Sequence, residues 1–131
     1  MTRFICLAAC GLTLTSCLKE SKNNCSATIL EPTIAAVGPK TVAVNQKATF
    51  SISYLPQITC GQLAGIYEAP GAAANTYLIG PQVAYTDCNC PTNTVAQQTT
   101  YSFTPPKAGT YYLNFVAANA AGYITDTLVA Q

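Results

Sequence analysis

The fold is decided by the run Tyr101-Ser102-Phe103-Thr104-Pro105-Pro106-Lys107-Ala108-Gly109-Thr110-Tyr111-Tyr112-Leu113-Asn114-Phe115-Val116-Ala117-Ala118-Asn119-Ala120-Ala121-Gly122. Within it Tyr111, Leu113, Phe115 and Ala117 fall on alternate positions, the period of a strand with one buried face. Tyr101-Ser102-Phe103 reads as the preceding strand and residues 104–109 as a tight connection. Asn119-Ala120-Ala121-Gly122 reads as a hairpin loop with Gly122 free to take positive φ. Residues 123–130 then return as the last strand, in one of two facings. One buries Tyr123, Thr125, Thr127 and Val129; the other buries Ile124 and Leu128 together with Asp126. The first is expected, because an unpaired carboxylate in a core is costly.

The same punctuation continues toward the N-terminus. Ala48, Phe50, Ile52 and Tyr54 alternate with polar residues and should face the core. Ahead of them, Asn45-Gln46-Lys47 turns the chain, residues 41–44 form a short strand and Gly38-Pro39-Lys40 breaks it. Residues 28–37, interrupted by Pro32, read as an edge strand, since proline cannot donate to a central ladder. Further along, 62–69 and 76–86 are strands, the second bent at Gly80-Pro81. Residues 72–75 are too few to nucleate a helix. The chain is therefore expected to be all-β.

The run 101–122 resembles the end of bacterial immunoglobulin-like and PKD-type modules. The resemblance implies a sandwich of about seven antiparallel strands over residues 28–131, and a structural tyrosine corner in which the Tyr111 hydroxyl reaches back to the corner at 105–108. The inter-sheet cysteine pair and the tryptophan of antibody domains are missing, and Leu113 stands where the second cysteine would be. Such a likeness carries fold and no activity.

The N-terminus is organised differently. Arg3 precedes an apolar run over residues 4–15 that is too short to span a bilayer. The run closes on Leu14-Thr15-Ser16-Cys17, which resembles a bacterial lipobox. That resemblance implies a signal peptide over 1–16, lipidation of Cys17, and a tether over 17–27. Leu18 stands where an inner-membrane retention signal would place aspartate, so the outer membrane is implied. Lys19-Glu20-Ser21 partly matches a surface-export signal, which leaves the cell surface open.

Formal net charge is only +1, and there is no histidine. A neutral surface cannot hold nucleic acid, and the commonest general base and metal ligand is absent. The acids Glu20, Glu31, Glu68, Asp87 and Asp126 are scattered singly, although Glu68 and Asp87 are free to approach one another in space. No enzymatic activity, cofactor or metal is expected. Of seven cysteines, Cys6 and Cys10 fall in the signal and Cys17 is the lipid site. Cys25, Cys60, Cys88 and Cys90 remain as disulfide candidates, with Cys88 and Cys90 joined to Cys25 and Cys60 rather than to each other. If successive strands run up and down, all four gather at the pole from which the tether leaves, and the opposite pole is the better partner surface. Tyr67, Tyr77, Tyr85, Tyr112 and Tyr123 are candidates for an aromatic glycan platform. Asp126-Thr127-Leu128 matches a bacterial O-glycosylation pattern. The expected function is an envelope interaction or adhesion module for a protein or glycan. The alternative is a small redox or metal-handling lipoprotein that uses Cys88 and Cys90.

Overall fold

The computed structural model describes residues 26–87, 89–118 and 122–131. The signal peptide, Cys17, Cys25, Cys88 and the loop residues Asn119, Ala120 and Ala121 lie outside them. Nine strands and no helix occur among the described residues: β1 (Ala27–Leu30), β2 (Thr33–Val37), β3 (Thr41–Val42), β4 (Ala48–Tyr54), β5 (Gln62–Pro70), β6 (Thr76–Tyr85), β7 (Gln97–Phe103), β8 (Gly109–Val116) and β9 (Tyr123–Ala130). They form two sheets. One follows the order β1-β6-β8-β9-β3, with β5 also paired to β6; the other is β2-β4-β7.

Alternation in the sequence sets the packing. Ala48, Phe50, Ile52 and Tyr54 of β4 are buried, as are Tyr111, Leu113 and Phe115 of β8. The two sheets meet through these side chains, with the Phe50 ring 6.0 Å from that of Phe115 and the Tyr77 ring 4.9 Å from that of Phe103. Tyr111 faces this core and its hydroxyl donates to the Lys107 carbonyl at 2.9 Å, four residues upstream. Tyr112, on the other face of the same strand, is 45 % exposed. Tyr111→Phe should therefore cost about 1 kcal/mol, the scale of one lost buried hydrogen bond. Tyr112→Phe should cost much less, and equal shifts in a denaturant titration would contradict this facing.

The strand count and directions differ from about seven antiparallel strands. The run at 28–37 divides at Glu31-Pro32, so that β1 joins one sheet and β2 the edge of the other; after Gly38-Pro39 the chain returns to the first sheet as β3. Two pairings are parallel, β3 with β9 and β6 with β8. Strand β6 has β5 along one side and two neighbours in succession on the other, β8 beside Thr76 to Ile79 and β1 beside Gln82 to Tyr85. Pro81 sits at the seam between those two neighbours. Its carbonyl accepts from Glu31 N at 2.9 Å, so its missing N–H points toward the same side, where β8 has ended. A proline inside a long strand is tolerated at such a place.

The last strand takes the facing that was not expected. Asp126, Leu128 and Ala130 are buried, while Tyr123, Thr125 and Thr127 are exposed. The reason is Lys40. Val129 N donates to Lys40 O at 2.9 Å and Gln131 N to Val42 O at 3.1 Å, pinning β3 against β9. From there the Lys40 ammonium reaches Asp126 Oδ1 at 2.5 Å. The carboxylate is buried but not unpaired, so the apolar pull of Leu128 decides the register.

Candidate functional site

The site lies at the pole where β4 ends and β7 begins. The loops at 55–61 and 90–96 are zipped together by an isolated bridge between Ile58 and Thr92 and by Thr59 N to Pro91 O at 2.9 Å and Asn93 N to Gln57 O at 3.0 Å. Cys60 and Cys90 form a disulfide across the same pair of loops, with Cα atoms 5.9 Å apart. Asn93 is buried and holds its own loop, exchanging bonds with Val95 through Nδ2 and Oδ1 at 3.0 and 3.1 Å. Leu55 and Pro56 are thereby held across the end of the two sheets.

Beneath this cover is a small second core of Tyr54, Val83 and Tyr85. The Tyr85 hydroxyl accepts from Gln57 N at 2.8 Å and donates to Glu31 Oε1. Glu31 is placed there by the turn that moves the chain from β1 to β2, and it is fully buried. The Tyr85 hydroxyl is pushed up to about 12, first by burial and then by its bond to Glu31. Burial, followed by the bond from its hydroxyl to Glu68 Oε2 at 2.7 Å, raises Tyr101 as well. Both folded values lie above that of an unfolded tyrosine near 10. The stabilisation is thus complete below about pH 10 and is lost as pH rises through the folded values. Unfolding free energy should hold steady up to about pH 10 and then fall toward pH 12. Titration by tyrosinate absorbance alongside chemical denaturation checks this, and stability that rises across that window would refute it.

A cleft of about 630 Å³ opens between the start of β2, the end of β8 and the start of β9. Pro32, Ile34, Leu55, Pro56, Ala117 and Ile124 supply its apolar lining. Glu31 and Thr33 are part of its wall. Both are almost completely buried, and Glu31 Oε2 and Thr33 Oγ1 have no hydrogen-bond partner among the described residues. Buried oxygens in an apolar wall with no donor are costly to keep. Gln57, Thr92 and Asn93 line the cleft as well, and a largely apolar cleft with a few polar groups in its wall is the usual form of a ligand site.

No family model, curated protein or solved structure matches this chain. The site therefore rests on its own geometry. Cys60 and Cys90 are brought together, and Asp87 stands beside them with ligand atoms within 4.8 Å. Because the two sulfurs are bonded to each other, they offer no thiolate to a metal, and Cys90 is not available to Cys88 as a dithiol. Asp87 instead accepts from Asn89 N at 2.9 Å. Glu68, bonded to Tyr101 in mid-β5, does not meet Asp87. The tyrosine platform is broken up: Tyr85 is buried, Tyr77 packs on Phe103 and Tyr111, and Tyr67, Tyr112 and Tyr123 remain on the outer face. In Asp126-Thr127-Leu128 the hydroxyl-bearing Thr127 is exposed, while Asp126 and Leu128 are buried. Tyr111 lies at the other pole, where Asn45 N donates to Pro105 O and Tyr112 N to Asn75 O, both at 2.9 Å.

In the sequence Glu31 stands as one of several scattered acids. The signal that distinguishes it is its place, a lone carboxylate between Ile29-Leu30 and Thr33-Ile34 at a proline break. An acid inside an apolar strand run must find a buried partner, and here that partner, Tyr85, is 54 residues away.

Proposed function

We propose that this chain is a lipid-anchored envelope protein with no catalytic role, whose folded part binds a partner in the cleft between β2 and the β8–β9 hairpin. The observation that carries this reading is a largely apolar cleft whose wall includes Glu31 and Thr33, with Glu31 Oε2 and Thr33 Oγ1 buried and unpartnered among the described residues, and which Gln57, Thr92 and Asn93 also line. In support, the described acids other than Glu31 each have a role in holding the fold: Glu68 with Tyr101, Asp87 in its loop and Asp126 with Lys40. The lipobox-like Leu14-Thr15-Ser16-Cys17 supplies the anchor. The partner surface then lies not at the pole of 45–47, 70–75 and 104–108 but at the bridged pole, where Ala27 pairs with Tyr85 and the tether departs. A tether over residues 17–27 spans at most about 40 Å, so the cleft works close to the membrane and its partner is reached there.

Two experiments test the two halves. Cys17→Ala should move the protein out of the membrane fraction and abolish incorporation of labelled fatty acid without unfolding it; a variant that still partitions with lipid would sink the anchor. For the cleft, a photo-cross-linking amino acid at Ile34, exposed on the cleft rim, should give a discrete adduct on intact cells. The same probe at Lys107, on the opposite pole, should not, and the reverse pattern would overturn the assignment.

A further inference from the structure

We propose that the outward face of the six-stranded sheet binds a neutral glycan, with one sugar unit seated in a depression at the middle of that face. This surface is separate from the cleft, and neither assignment depends on the other.

Alternation puts three tyrosines on the outward face. Ile66 packs on the core and the Glu68 carboxylate meets the buried Tyr101, so Tyr67 between them points outward. Tyr112 lies between the buried Tyr111 and Leu113, and Tyr123 precedes Ile124, which packs on the core. Each of the three is more than a third exposed. The register relates them, because directly paired residues share a face. Tyr67 pairs with Gly80 and Val116 with Tyr123. A Cβ at Gly80 would stand 3.5 Å from Val116 Cβ, which joins the two pairs into one row across β5, β6, β8 and β9. At a strand spacing of about 4.8 Å, that row sets Tyr67 and Tyr123 about 14 Å apart. Tyr112 stands four residues back along β8 from Val116, about 13 Å away. Between them runs a middle row of Ala69, Leu78, Asn114 and Thr125.

A depression of about 470 Å³ occupies this middle ground, a size that suits a small ligand. Thr76, Leu78, Asn114 and Tyr123 line it from the sheet, and residues 70–73 of the β5–β6 turn supply the rest. The turn is held in place: Gly71 N donates to Thr76 O at 2.7 Å, and Tyr112 N to Asn75 O at 2.9 Å. The wall is therefore built before any ligand arrives.

Chemistry selects the occupant. Apart from the tyrosine phenols, no ionisable side chain lines the depression or stands in these rows. A charged ligand would give up hydration there and gain no counter-charge. The face offers aromatic rings, the apolar Leu78, and neutral groups that donate and accept: the Asn114 amide and the Thr76 and Thr125 hydroxyls. Thr125 Oγ1 donates to Asn114 Oδ1 at 2.7 Å, which orients the amide. A pyranose matches both halves of this surface. Its C–H face lies against an aromatic ring, and its hydroxyls both donate and accept, as an amide and a threonine also do. An extended peptide would instead need a free strand edge. At the middle of this face β6 is paired with β5 and β8, and β8 with β6 and β9.

The test uses the full-length protein in lipid nanodiscs, titrated by calorimetry with cellohexaose, maltohexaose, mannohexaose and galactohexaose. Chitosan hexamer, which carries ammonium groups on the backbone of cellohexaose, and hexagalacturonate, which carries carboxylates, are the charged comparators. At least one neutral hexasaccharide should bind, at least about tenfold more tightly than either comparator. Tyr123→Ala should weaken that binding by about tenfold, the scale of one lost aromatic contact, and Tyr123→Phe should largely keep it. Thr100→Ala, on the outer face of the other sheet, should leave it unchanged. Ala72→Trp, which fills the depression from an exposed turn position, should abolish it, and it keeps the test decisive if Tyr123→Ala does not fold. Failure of all four neutral probes overturns the glycan assignment. Equal binding of a charged comparator overturns the selection for neutral sugars, and binding that survives both Tyr123→Ala and Ala72→Trp overturns the site.

Discussion

Phe50→Ala is expected to lower the unfolding free energy by about 3–5 kcal/mol, the range for deleting a fully buried phenyl ring. Phe50 has no exposed surface and lies between the sheets, 6.2 Å from the Tyr101 ring and 6.0 Å from that of Phe115. It also closes over Gly38, where the chain crosses from β2 to β3: a Cβ at Gly38 would stand only 2.1 Å from Phe50 Cδ1. The ring therefore fixes the packing of the sheets and the path of the crossing segment together. Gly38→Ala should be destabilising by itself, through overpacking, and much less so in the Phe50→Ala background, which removes the ring atoms it meets. Denaturant midpoints for the two single variants and the double variant measure that coupling. Additive effects would show that Gly38 and Phe50 do not meet as described.

The second large effect is expected at the bridged pole. Replacing both Cys60 and Cys90 by serine opens a loop with a sequence separation of 30 residues. The chain-entropy estimate for a loop of that size is about 3.5 kcal/mol. The loss should come with a loosened cover over the cleft, because the bridge closes the same two loops that the Ile58–Thr92 pairing joins. Fluorescence or circular dichroism on denaturant titration reads the stability. Peptide mapping under non-reducing conditions reads the bond, which should join Cys60 to Cys90 and leave Cys25 and Cys88 as the partners still to be matched. An unchanged midpoint in the double-serine variant, or a Cys88–Cys90 linkage in the native protein, would contradict this assignment.

These two expectations differ in how far the sequence foretold them. The inward face of β4 was legible because four core residues alternate without interruption, and period two fixes facing once a strand has a dry side. The same held for Tyr111, Leu113 and Phe115. The facing of β9 was not legible. Local burial cost argued for hiding Thr125 and Thr127, and the outcome turned on Lys40, 86 residues away, reaching Asp126. Neighbour identity was equally hidden: alternation shows which residues of β6 point inward, but not that β8 lies parallel beside its first half and β1 antiparallel beside its second.

The cleft was the least legible feature. Its walls come from five separate stretches, around residues 31–34, 55–57, 92–93, 117–118 and 124. No periodicity or spacing relates them. What brings them together is the switch at Glu31-Pro32 and the zipped loops that carry the disulfide. The chemistry that was visible in the sequence, a cluster of cysteines, turned out at Cys60 and Cys90 to hold the frame of the site. The polar atoms it frames belong to Glu31 and Thr33, residues whose significance appears only once burial and partners are known.

The measurement that bears most directly on the cleft as the working surface is cross-linking from Ile34 on intact cells in an Ala117→Trp background. Ala117 lines the same cleft as Ile34, and an indole there takes up part of its volume. The account predicts that Ala117→Trp keeps its fold and its membrane fraction while the Ile34 adduct disappears. An adduct of undiminished yield from a folded Ala117→Trp protein would show that the partner binds elsewhere.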